Sequence, residues 1–473
     1  MNTVPLPFHR RIEQALADRQ LRVALDRTTS RFTGLREAGL ASLVDADATR
    51  DRARAIRART IARLGDHLER FEASVIRAGG SVHWARDADH AVRLVLEIAA
   101  AYDVRRVVKS KSMVSEEVEL NAALEAAGLS VVESDLGEYI IQLAGEPPSH
   151  IIAPAIHKTK EQVGALFHEA LGVPLTDSPE EMTAVARRVL RREFLGADMG
   201  ISGVNFGVAE TGTLAVVTNE GNASLGMTTA RVHVALMGIE RLVPTLDDLA
   251  VMLQVLARSA TGQKLSVYTD LVTGPRRRQP ASDADGPSAL HVVLVDNGRS
   301  GLVTREFEEL LYCIRCGACL NACPVYREIG GHAYGSVYPG PIGAVLTPAL
   351  RGASGWSELA EASSLCGACR DVCPVRIDIP RLLLAHRTDA WRERVSDRWP
   401  RVAIGLLRAA ATRPRLYRAL AGAVRIVSRF GARDGWRRRA PWPLSRWTSA
   451  RDLPALAPRP FREEWRRMRE GAR

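Results

Sequence analysis

Hydrophobic and polar positions alternate along the chain in two successive patterns. Over residues 45–78, Ala, Ile, Leu and Val recur at helical spacing among Arg, Asp and Glu, which predicts a long amphipathic helix ending at Gly79-Gly80. Further along, helical patterns near 88–101 and 114–127 accompany short β-type runs at 81–85, 104–108, 129–134, 151–154, 203–209, 213–219, 232–238, 265–270 and 291–296. Strands that alternate with helices predict an α/β layer fold with a largely parallel sheet.

Two further segments flank the last predicted strand. Residues 275–287 are polar and rich in helix and strand breakers, so they are predicted to form a surface loop inside the α/β domain. A short helix is predicted near 303–312. The chain is therefore divided into a helical N-terminal segment (1–78), an α/β domain (79–300), a module at 301–390 and a tail at 391–473.

The composition narrows the class of protein. The chain is 46% hydrophobic and 25% charged, which is typical of a globular protein. No stretch reaches 18 consecutive apolar residues, so no transmembrane helix is predicted. The first 20 residues contain acidic side chains and no apolar run, so no secretory signal is predicted and a cytoplasmic location is expected.

The basic character belongs to the tail. Residues 391–473 contain 22 Arg, no Lys and 7 acidic residues, a net charge of +15, whereas the rest of the chain carries −4. Six of the eight tryptophans also lie there, and the pattern predicts helices interrupted by prolines. Arg and Trp together favour docking to partner proteins, with peripheral contact to an anionic membrane as the alternative; binding of nucleic acid is not expected.

All seven cysteines lie between Cys313 and Cys373, and their spacing indicates metal rather than disulfides. The first motif is C-x2-C-x2-C-x3-C-P, formed by Cys313, Cys316, Cys319 and Cys323. In a two-cluster ferredoxin the first three thiolates of such a run hold one cluster and the fourth holds the other. A structural zinc site fits poorly, because zinc usually takes two separated C-x2-C pairs.

The second motif, Cys366-x2-Cys369-x3-Cys373-Pro, lacks the first cysteine of the repeat, and Ser363 occupies that position. The crossing rule assigns cluster 1 to Cys313, Cys316, Cys319 and Cys373, and cluster 2 to Cys323, Cys366 and Cys369. The fourth position of cluster 2 is open: Ser363, water or another group could bind the iron. Alternatively the iron is absent and the cluster is [3Fe-4S]. The motifs thus predict two [4Fe-4S] clusters, or one of each type, on a ferredoxin-type α-helical module.

Several segments together resemble the lactate-utilisation iron–sulfur protein B family. They are KSKSMVSEE (109–117), ESDLGEYIIQL (133–143), GVNFGVAETGTLAVVTNEGN (203–222), MGIERLVPTLDDL (237–249), the span 326–350 between the motifs, and DLPALAPRPFREEW (452–465). The resemblance implies an electron-transfer role in the oxidation of L-lactate to pyruvate, with a cysteine-rich A component and a C component as partners. It also implies a sugar-phosphate isomerase or CoA-transferase fold for the α/β domain.

The α/β domain carries candidate binding residues of its own. Lys109, Ser110, Lys111 and Ser112 follow a predicted strand and precede a helical pattern, which is a setting that can hold an anion. The loops that contain Thr211, Gly212 and Thr213, and residues 219–222, are predicted to line the same cleft, because ligands bind at the carboxyl ends of strands in α/β sheets. Glu210 is a candidate nucleophile or base, or else it bonds backbone amides.

Three functional classes follow from these observations. The first is an electron-transfer subunit. The second is an enzyme whose α/β domain acts on a small carboxylate or phosphate, with the clusters as a redox relay, and the third is a scaffold or redox-sensing binding protein. His332 and Tyr334, in the glycine-rich span between the motifs, are expected to pack against a cluster, with ligation as the alternative.

Overall fold

The computed structural model describes residues 6–276, 286–393, 398–430, 432–441, 445–449 and 451–471. The chain forms two compact units, Met1–Val395 and Ser396–Arg473. The predicted loop at 275–287 lies mostly outside the described residues.

The first unit contains all seven cysteines. Its strands are β1 (Ser81–Ala85), β2 (Arg106–Lys109), β3 (Ser130–Glu133), β4 (Met199–Gly203), β5 (Phe206–Val208), β6 (Thr213–Thr218), β7 (Val232–Gly238), β8 (Leu242–Val243), β9 (Tyr268–Val272) and β10 (Ala289–Val295). Its helices are α1 (Phe8–Ala17), α2 (Arg19–Ala41), α3 (Ala46–Ala62), α4 (Leu64–Arg77), α5 (Ala88–Ala101), α6 (Met113–Glu117), α7 (Leu120–Ala126), α8 (Leu136–Ala144), α9 (Lys160–Leu171), α10 (Pro179–Gly196), α11 (Asn222–Thr229), α12 (Leu246–Ala260), α13 (Ala318–Ala322), α14 (Pro324–Ile329), α15 (Gly340–Arg351), α16 (Ala368–Val372) and α17 (Ile379–Arg392).

A six-stranded parallel sheet forms the centre of the α/β region. Its strand order is β1-β10-β7-β4-β2-β3, and every neighbouring pair is parallel. Strand β7 is buried along its whole length and β10 along nearly all of it, which is expected where helices cover both faces of a parallel sheet. The predicted α/β fold with a parallel sheet is therefore confirmed.

A second sheet of four strands was not predicted. Its order is β8-β5-β6-β9, with β5 and β9 both antiparallel to β6. The reason is the tight turn between β5 and β6, where Gly212 has φ of +72° and lies against the backbone of Val75. Strands joined by such a short turn pair antiparallel, because a parallel connection needs a dozen or more residues.

Four predicted elements differ in detail. The long helix at 45–78 is broken into α3 and α4 at Arg63, and the helix near 114–127 is broken into α6 and α7 at Glu119, which has φ of +54°. The segment 151–154 is not a strand, because the ring of His150 accepts the N–H groups of Ile152 and Ala153 instead. The predicted helix near 303–312 is a single 3-10 turn at Glu308–Tyr312.

One hydrophobic core joins the N-terminal helices, the α/β region and the cysteine region. Helix α2 packs against α13 and α14, and α3 packs against the 3-10 turn before the first cysteine. The buried Arg57 of α3 donates to the carbonyl oxygens of Leu242 (2.6 Å), Leu311 (2.7 Å) and Glu240. The cysteine region is therefore fixed to the α/β region by packing and by buried hydrogen bonds.

The second unit is helical, as predicted, with a small β-ribbon. Its elements are α18 (Arg398–Ala411), α19 (Pro414–Arg429), β11 (Trp436–Arg437), α20 (Ser445–Thr448), β12 (Leu453–Pro454) and α21 (Phe461–Gly471). Helices α18 and α19 contact each other, and β11 pairs antiparallel with β12. Within the described part of the chain, none of the helices combines the length and hydrophobicity needed to cross a membrane.

Candidate iron–sulfur centres and the adjoining cavity

The first cysteine motif wraps around a turn and a short helix. Arg315 has φ of +59° and Gly317 has φ of +73°, so the chain turns sharply between Cys313 and α13. Pro324 begins α14 directly after Cys323, where its missing N–H costs no helical hydrogen bond.

Four cysteines from both motifs line one apolar cavity. They are Cys313, Cys316 and Cys319 of the first motif together with Cys373 of the second. The other lining side chains are mostly aliphatic: Ile151, Ile314, Ile342, Val375, Ile377 and Ile379. The structure thus brings together the set assigned from the sequence to cluster 1, in a largely apolar site.

The remaining three cysteines form a second group. Burial, together with the nearby thiols of Cys323 and Cys366, raises the pKa of Cys369 to about 12. In the first group, a cysteine of the second motif affects a cysteine of the first motif: burial and the nearby Cys373 raise the pKa of Cys316 to about 12. Buried thiols with such pKa values become thiolates only when a cation binds, so both groups fit metal ligation.

Backbone amides point at the sulfur atoms. The N–H of Arg315 donates to Cys313 Sγ (3.4 Å) and that of Ile377 donates to Cys373 Sγ (3.4 Å). In the second group the N–H of Tyr326 donates to Cys323 Sγ (3.5 Å). Such bonds stabilise anionic sulfur, and hydrogen bonds to sulfur help to set the potential of an iron–sulfur cluster. The residues present therefore fit iron–sulfur clusters.

Ser363 lies in a turn like that of Cys313. The N–H of Leu365 donates to Ser363 Oγ (3.1 Å), and in the first motif the N–H of Arg315 donates to Cys313 Sγ. In both motifs the acceptor lies two residues before the donor. Leu365 also shares the left-handed conformation of Arg315, with φ of +55°. The two motifs thus have the same local backbone, with an oxygen in place of a sulfur at the first position.

The two aromatic residues of the intervening span lie in different environments. Tyr334 is fully buried and packs near Phe8 and Tyr326. Burial and the nearby Cys323 raise the pKa of its hydroxyl. Its hydroxyl has no hydrogen-bond partner among the described atoms, so it is free to donate to a cluster atom. His332 instead stacks edge-on against His157 and bonds the carbonyl of Pro147.

Buried arginines outnumber buried acids beside the first cysteine group. Arg241 donates to the carbonyl of Cys313 (3.0 Å), and the Arg315 guanidinium lies 4.5 Å from the Tyr338 ring centroid. Arg299 pairs with Glu117 and Glu240. Burial alone would raise the pKa of Glu117, but the pairing with Arg299 outweighs it and lowers this pKa to about 2. Arg57 is buried here too, and the buried Arg50 donates to the carbonyl of Cys373 (2.9 Å). Five arginines thus face two glutamates, and the excess positive charge suits an anionic cluster ligated by four thiolates.

A second and larger cavity, of about 270 Å³, adjoins the first. We call it the sheet-edge cavity, because it lies at the carboxyl ends of β2, β4 and β6. Its polar lining comprises Ser110, Lys111, Ser112, Asp135, Asn205, Thr218, Asn219, Glu220, Asn222, Arg241, Thr261, Gln263, Ser266 and Arg315. Three residues of the predicted anion-binding set, Ser110, Lys111 and Ser112, therefore lie in it together with the 219–222 loop.

The other predicted members do not line this cavity. Lys109 is fully buried, and its ammonium is 2.7 Å from carboxylate oxygens of both Glu116 and Glu133. These two carboxylates satisfy its charge, so the hypothesis that Lys109 binds an exogenous anion is corrected.

The loop at 211–213 also lies elsewhere. Thr211 and Thr213 bond each other, Thr213 bonds Thr273, and Gly212 lies against Val75. Glu210 accepts the N–H of Leu246 at the start of α12 (2.7 Å), so the structure gives it the backbone-bonding role.

Sequence reasoning missed two cationic residues of the sheet-edge cavity. Arg241 ends the short 3-10 turn that follows β7. Arg315 lies between two cysteines of a motif that is defined by its cysteines alone, so the motif does not predict a role for its side chain. Both lie far along the chain from Lys111, so only the fold brings the three together.

Three family models match successive parts of the chain. A LUD domain matches residues 68–295, a 4Fe-4S dicluster domain matches residues 309–377, and the C-terminal domain of lactate utilisation protein B matches residues 396–470. Lactate utilization protein B from Shouchella clausii (strain KSM-K16) is 44% identical over 98% of both chains. The chain belongs to the lactate utilization protein B family. The predicted family and its iron–sulfur character are therefore confirmed.

Other relatives agree over nearly the whole chain. Lactate utilization protein B from Bacillus pumilus (strain SAFR-032) is 44% identical, covering 98% of this chain and 97% of its own. The uncharacterized electron transport protein YkgF from Escherichia coli (strain K12) is 42% identical, covering 96% of this chain and 95% of its own. A crystal structure of a DUF162 family protein from Deinococcus radiodurans covers 49% of this chain and 98% of its own, at 15% identity and a TM-score of 0.28.

The family's three regions correspond to the architecture. The LUD region begins within α4 and ends with β10, and the dicluster region begins in the 3-10 turn before Cys313. The last region begins at residue 396, where the second compact unit begins. The tail is thus a region of its own within this family.

Proposed function

We propose that this protein carries electrons through two iron–sulfur clusters in a complex that oxidises L-lactate to pyruvate. The observation that carries the proposal is the crossed grouping of the cysteines, in which Cys373 lies with the first motif and Cys323 with the second. Crossed ligation holds two clusters close together, as in two-cluster ferredoxins. Two relatives, lactate utilization protein B from Shouchella clausii and the electron transport protein YkgF, supply the link to lactate utilisation and to electron transport.

The two cysteine groups differ in their exposure to solvent. Cys316 and Cys373 are buried, and mostly aliphatic side chains surround the first site. Cys366 is exposed, so the second site lies nearer to solvent and to a redox partner. When bound, each cluster supplies a centre that gains or loses one electron at a time. We infer that electrons cross the protein surface at the Cys366 side.

The family role supplies the remaining parts of the proposal. The partners are the A component and the C component of the lactate-utilisation system, acting in the cytoplasm. The α/β region over 79–300 has the sugar-phosphate isomerase or CoA-transferase type of fold, 301–390 is the cluster module, and the second unit docks the partners. A second candidate function, chemistry on a small carboxylate in the α/β region, is favoured by the sheet-edge cavity beside cluster 1.

Anaerobic purification tests the proposal directly. We expect about eight irons per chain and equal sulfide, because two cubane clusters each hold four of each. With both partners present, L-lactate is expected to produce the electron paramagnetic resonance (EPR) signals of reduced clusters, while D-lactate serves as the control. Stoichiometric zinc without sulfide would contradict the proposal, and reduction by L-lactate of this chain alone would favour the second function.

We also propose that Ser363 binds the fourth iron of cluster 2. The proposal rests on the turn that Ser363 shares with Cys313, including the bond from the N–H of Leu365. Ser363→Ala is expected to remove one iron per chain and to give the signal of an oxidised [3Fe-4S] cluster, whereas Ser363→Cys is expected to keep every iron and alter the cluster 2 signal. Iron analysis and EPR check both variants.

The neighbouring Ser364 provides a matched control, since it is exposed and stands at the position of Ile314 in the first motif. Ser364→Ala is expected to change neither iron content nor spectrum. If Ser363→Ala behaves like this control, water or another group occupies the fourth position.

A further inference from the structure

The sheet-edge cavity lies where α/β folds bind ligands. The segment 110–112 follows β2 and Asn205 follows β4, which are neighbouring strands of the parallel sheet, and Asn219 and Glu220 follow β6 of the second sheet, so loops from both sheets converge on one space. The volume of about 270 Å³ lies just below the range of about 300–1,000 Å³ that is typical of drug-sized ligands. The cavity therefore suits a metabolite of a few heavy atoms.

Two cations of this cavity have nitrogen atoms without a hydrogen-bond acceptor among the described residues. Lys111 Nζ makes no hydrogen bond and lies 4.0 Å from a carboxylate oxygen of Glu138. The Arg315 side chain is 6% exposed, and its Nη2 lies 3.5 Å from Glu240, but its Nη1 has no hydrogen-bond partner. Buried charged donors without acceptors are costly, so they indicate an anionic ligand. Arg241 adds a third cation to the lining.

Arg315 connects this cavity to the first cysteine group. It lines both the sheet-edge cavity and the cavity between the four cysteines, and so does Ile151. Its backbone N–H also donates to Cys313 Sγ. A ligand held by the Arg315 guanidinium therefore lies next to the residues that hold cluster 1.

We propose that the sheet-edge cavity binds a small monocarboxylate of the 2-hydroxy or 2-oxo acid class, whose carboxylate is held by Arg315 and Lys111. Anion binding is argued from the cavity itself, while the choice of acid class rests on the proposed function. Ser110, Ser112 and Asn205 line the same cavity and bring hydroxyl and amide groups that suit a hydroxyl or keto substituent at carbon 2. The acidic side chains of Asp135 and Glu220 in the same lining disfavour a phosphate dianion.

Glu220 makes the binding depend on pH. Its carboxylate accepts the N–H of Leu136 (3.0 Å). Partial desolvation and the nearby Asp135 raise its pKa to about 7, against the opposing effects of this hydrogen bond and of Lys111. The charged groups that face it are Asp135 at the start of α8 and Lys111 after β2. Above pH 7 the Glu220 anion repels a carboxylate, so affinity is expected to rise as the pH falls from about 8 to about 6.

The test measures binding to the isolated, cluster-loaded chain under anaerobic conditions. Isothermal titration with L-lactate, pyruvate and inorganic phosphate gives the affinities, and EPR of the reduced chain reports a ligand-induced change at cluster 1. Lys111→Gln is expected to weaken carboxylate binding about tenfold or more at unchanged iron content, because it removes a charge-assisted bond. The exposed Lys160 offers a matched control, and Lys160→Gln is expected to bind as the parent chain does.

Two further variants sharpen the outcome. Glu220→Gln is expected to abolish the pH dependence and to strengthen binding at pH 8. Arg315→Lys is expected to weaken binding and to alter the cluster 1 spectrum. Tighter binding of phosphate than of either carboxylate, or equal affinities for Lys111→Gln and Lys160→Gln, would overturn the proposal.

The binding test is independent of electron transfer. If the isolated chain fails to bind these acids while the complete complex is still reduced by L-lactate, the cavity proposal fails and the proposed function stands. If the isolated chain binds them while the complete complex is not reduced by L-lactate, the cavity proposal stands and the proposed function fails.

Discussion

Cys373→Ser is expected to damage the same cluster as Cys316→Ser, although the two cysteines belong to different motifs. Both thiols line the same apolar cavity, and each contributes to the raised pKa of its neighbours in that group. In each variant iron content is expected to fall from about eight towards about four per chain, because a cubane cluster binds four irons. Iron analysis and EPR of the reduced variants measure the loss.

The second group provides the control for this prediction. Cys323→Ser is expected to damage the cluster held by Cys366 and Cys369, and to leave the signal that Cys316→Ser abolishes. Matching spectra for Cys323→Ser and Cys316→Ser, with Cys373→Ser showing the opposite pattern, would mean that each motif holds its own cluster. The crossed assignment would then be wrong.

Much of the fold could be predicted from local sequence because the apolar runs are unambiguous. Strands β7 and β10 are seven-residue segments that are apolar apart from one histidine each, and such runs bounded by turns fit the interior of a parallel sheet. The segment 151–154 has the same apolar character but no partner strand. There the ring of His150 satisfies the backbone, which is a tertiary effect that no local pattern reveals.

The cluster residues could be predicted for a different reason. Cluster ligation needs cysteines at fixed short spacings, so the motif itself carries the geometry. The motif predicts the position of Ser363 but not its local structure. Alignment of the motifs places it at the first position, but the bond from Leu365 and the left-handed turn emerge only in three dimensions.

The sheet-edge cavity could be predicted only in part, and its lysines show why. Lys109 and Lys111 are alike in sequence, yet Lys109 is paired with Glu116 and Glu133, whereas Lys111 faces the cavity. The choice between them depends on carboxylates from other elements of the fold. Arg315 was hidden for a similar reason, because its partners lie outside its own motif: Glu240 in the α/β region and Tyr338 in the span between the two motifs.

The tail has exposed surfaces of two kinds. Removing residues 396–473 deletes 20 Arg, 6 acidic residues and 5 Trp, but no cysteine. Apolar side chains on its helices are exposed, among them Leu407 of α18 and Val424 of α19. The helical pattern from 391 onwards includes Trp391, which belongs to α17 of the first unit, so residue 396 is the better point for truncation.

Truncation before residue 396 is expected to leave both clusters in place and to weaken partner binding by about tenfold or more, since interface arginines and tryptophans carry a large share of binding energy. The charged part of the binding is expected to fall between about 0.1 M and about 1 M salt, where the screening length drops from about 10 Å to about 3 Å. The apolar part is expected to persist. Co-purification of the full-length and truncated chains with the two partner components, at both salt concentrations, measures the effect.

Iron content is the internal control for that comparison, because all seven cluster cysteines remain in the truncated chain. A truncated chain that keeps its irons and binds both partners as tightly as the full chain would contradict partner docking. Loss of binding to anionic vesicles alone, with partner binding intact, would assign the tail to a membrane surface instead. Loss of the irons themselves would mean that the tail is needed to fold or protect the cluster module, since the shortened chain has every ligand but cannot hold the metal.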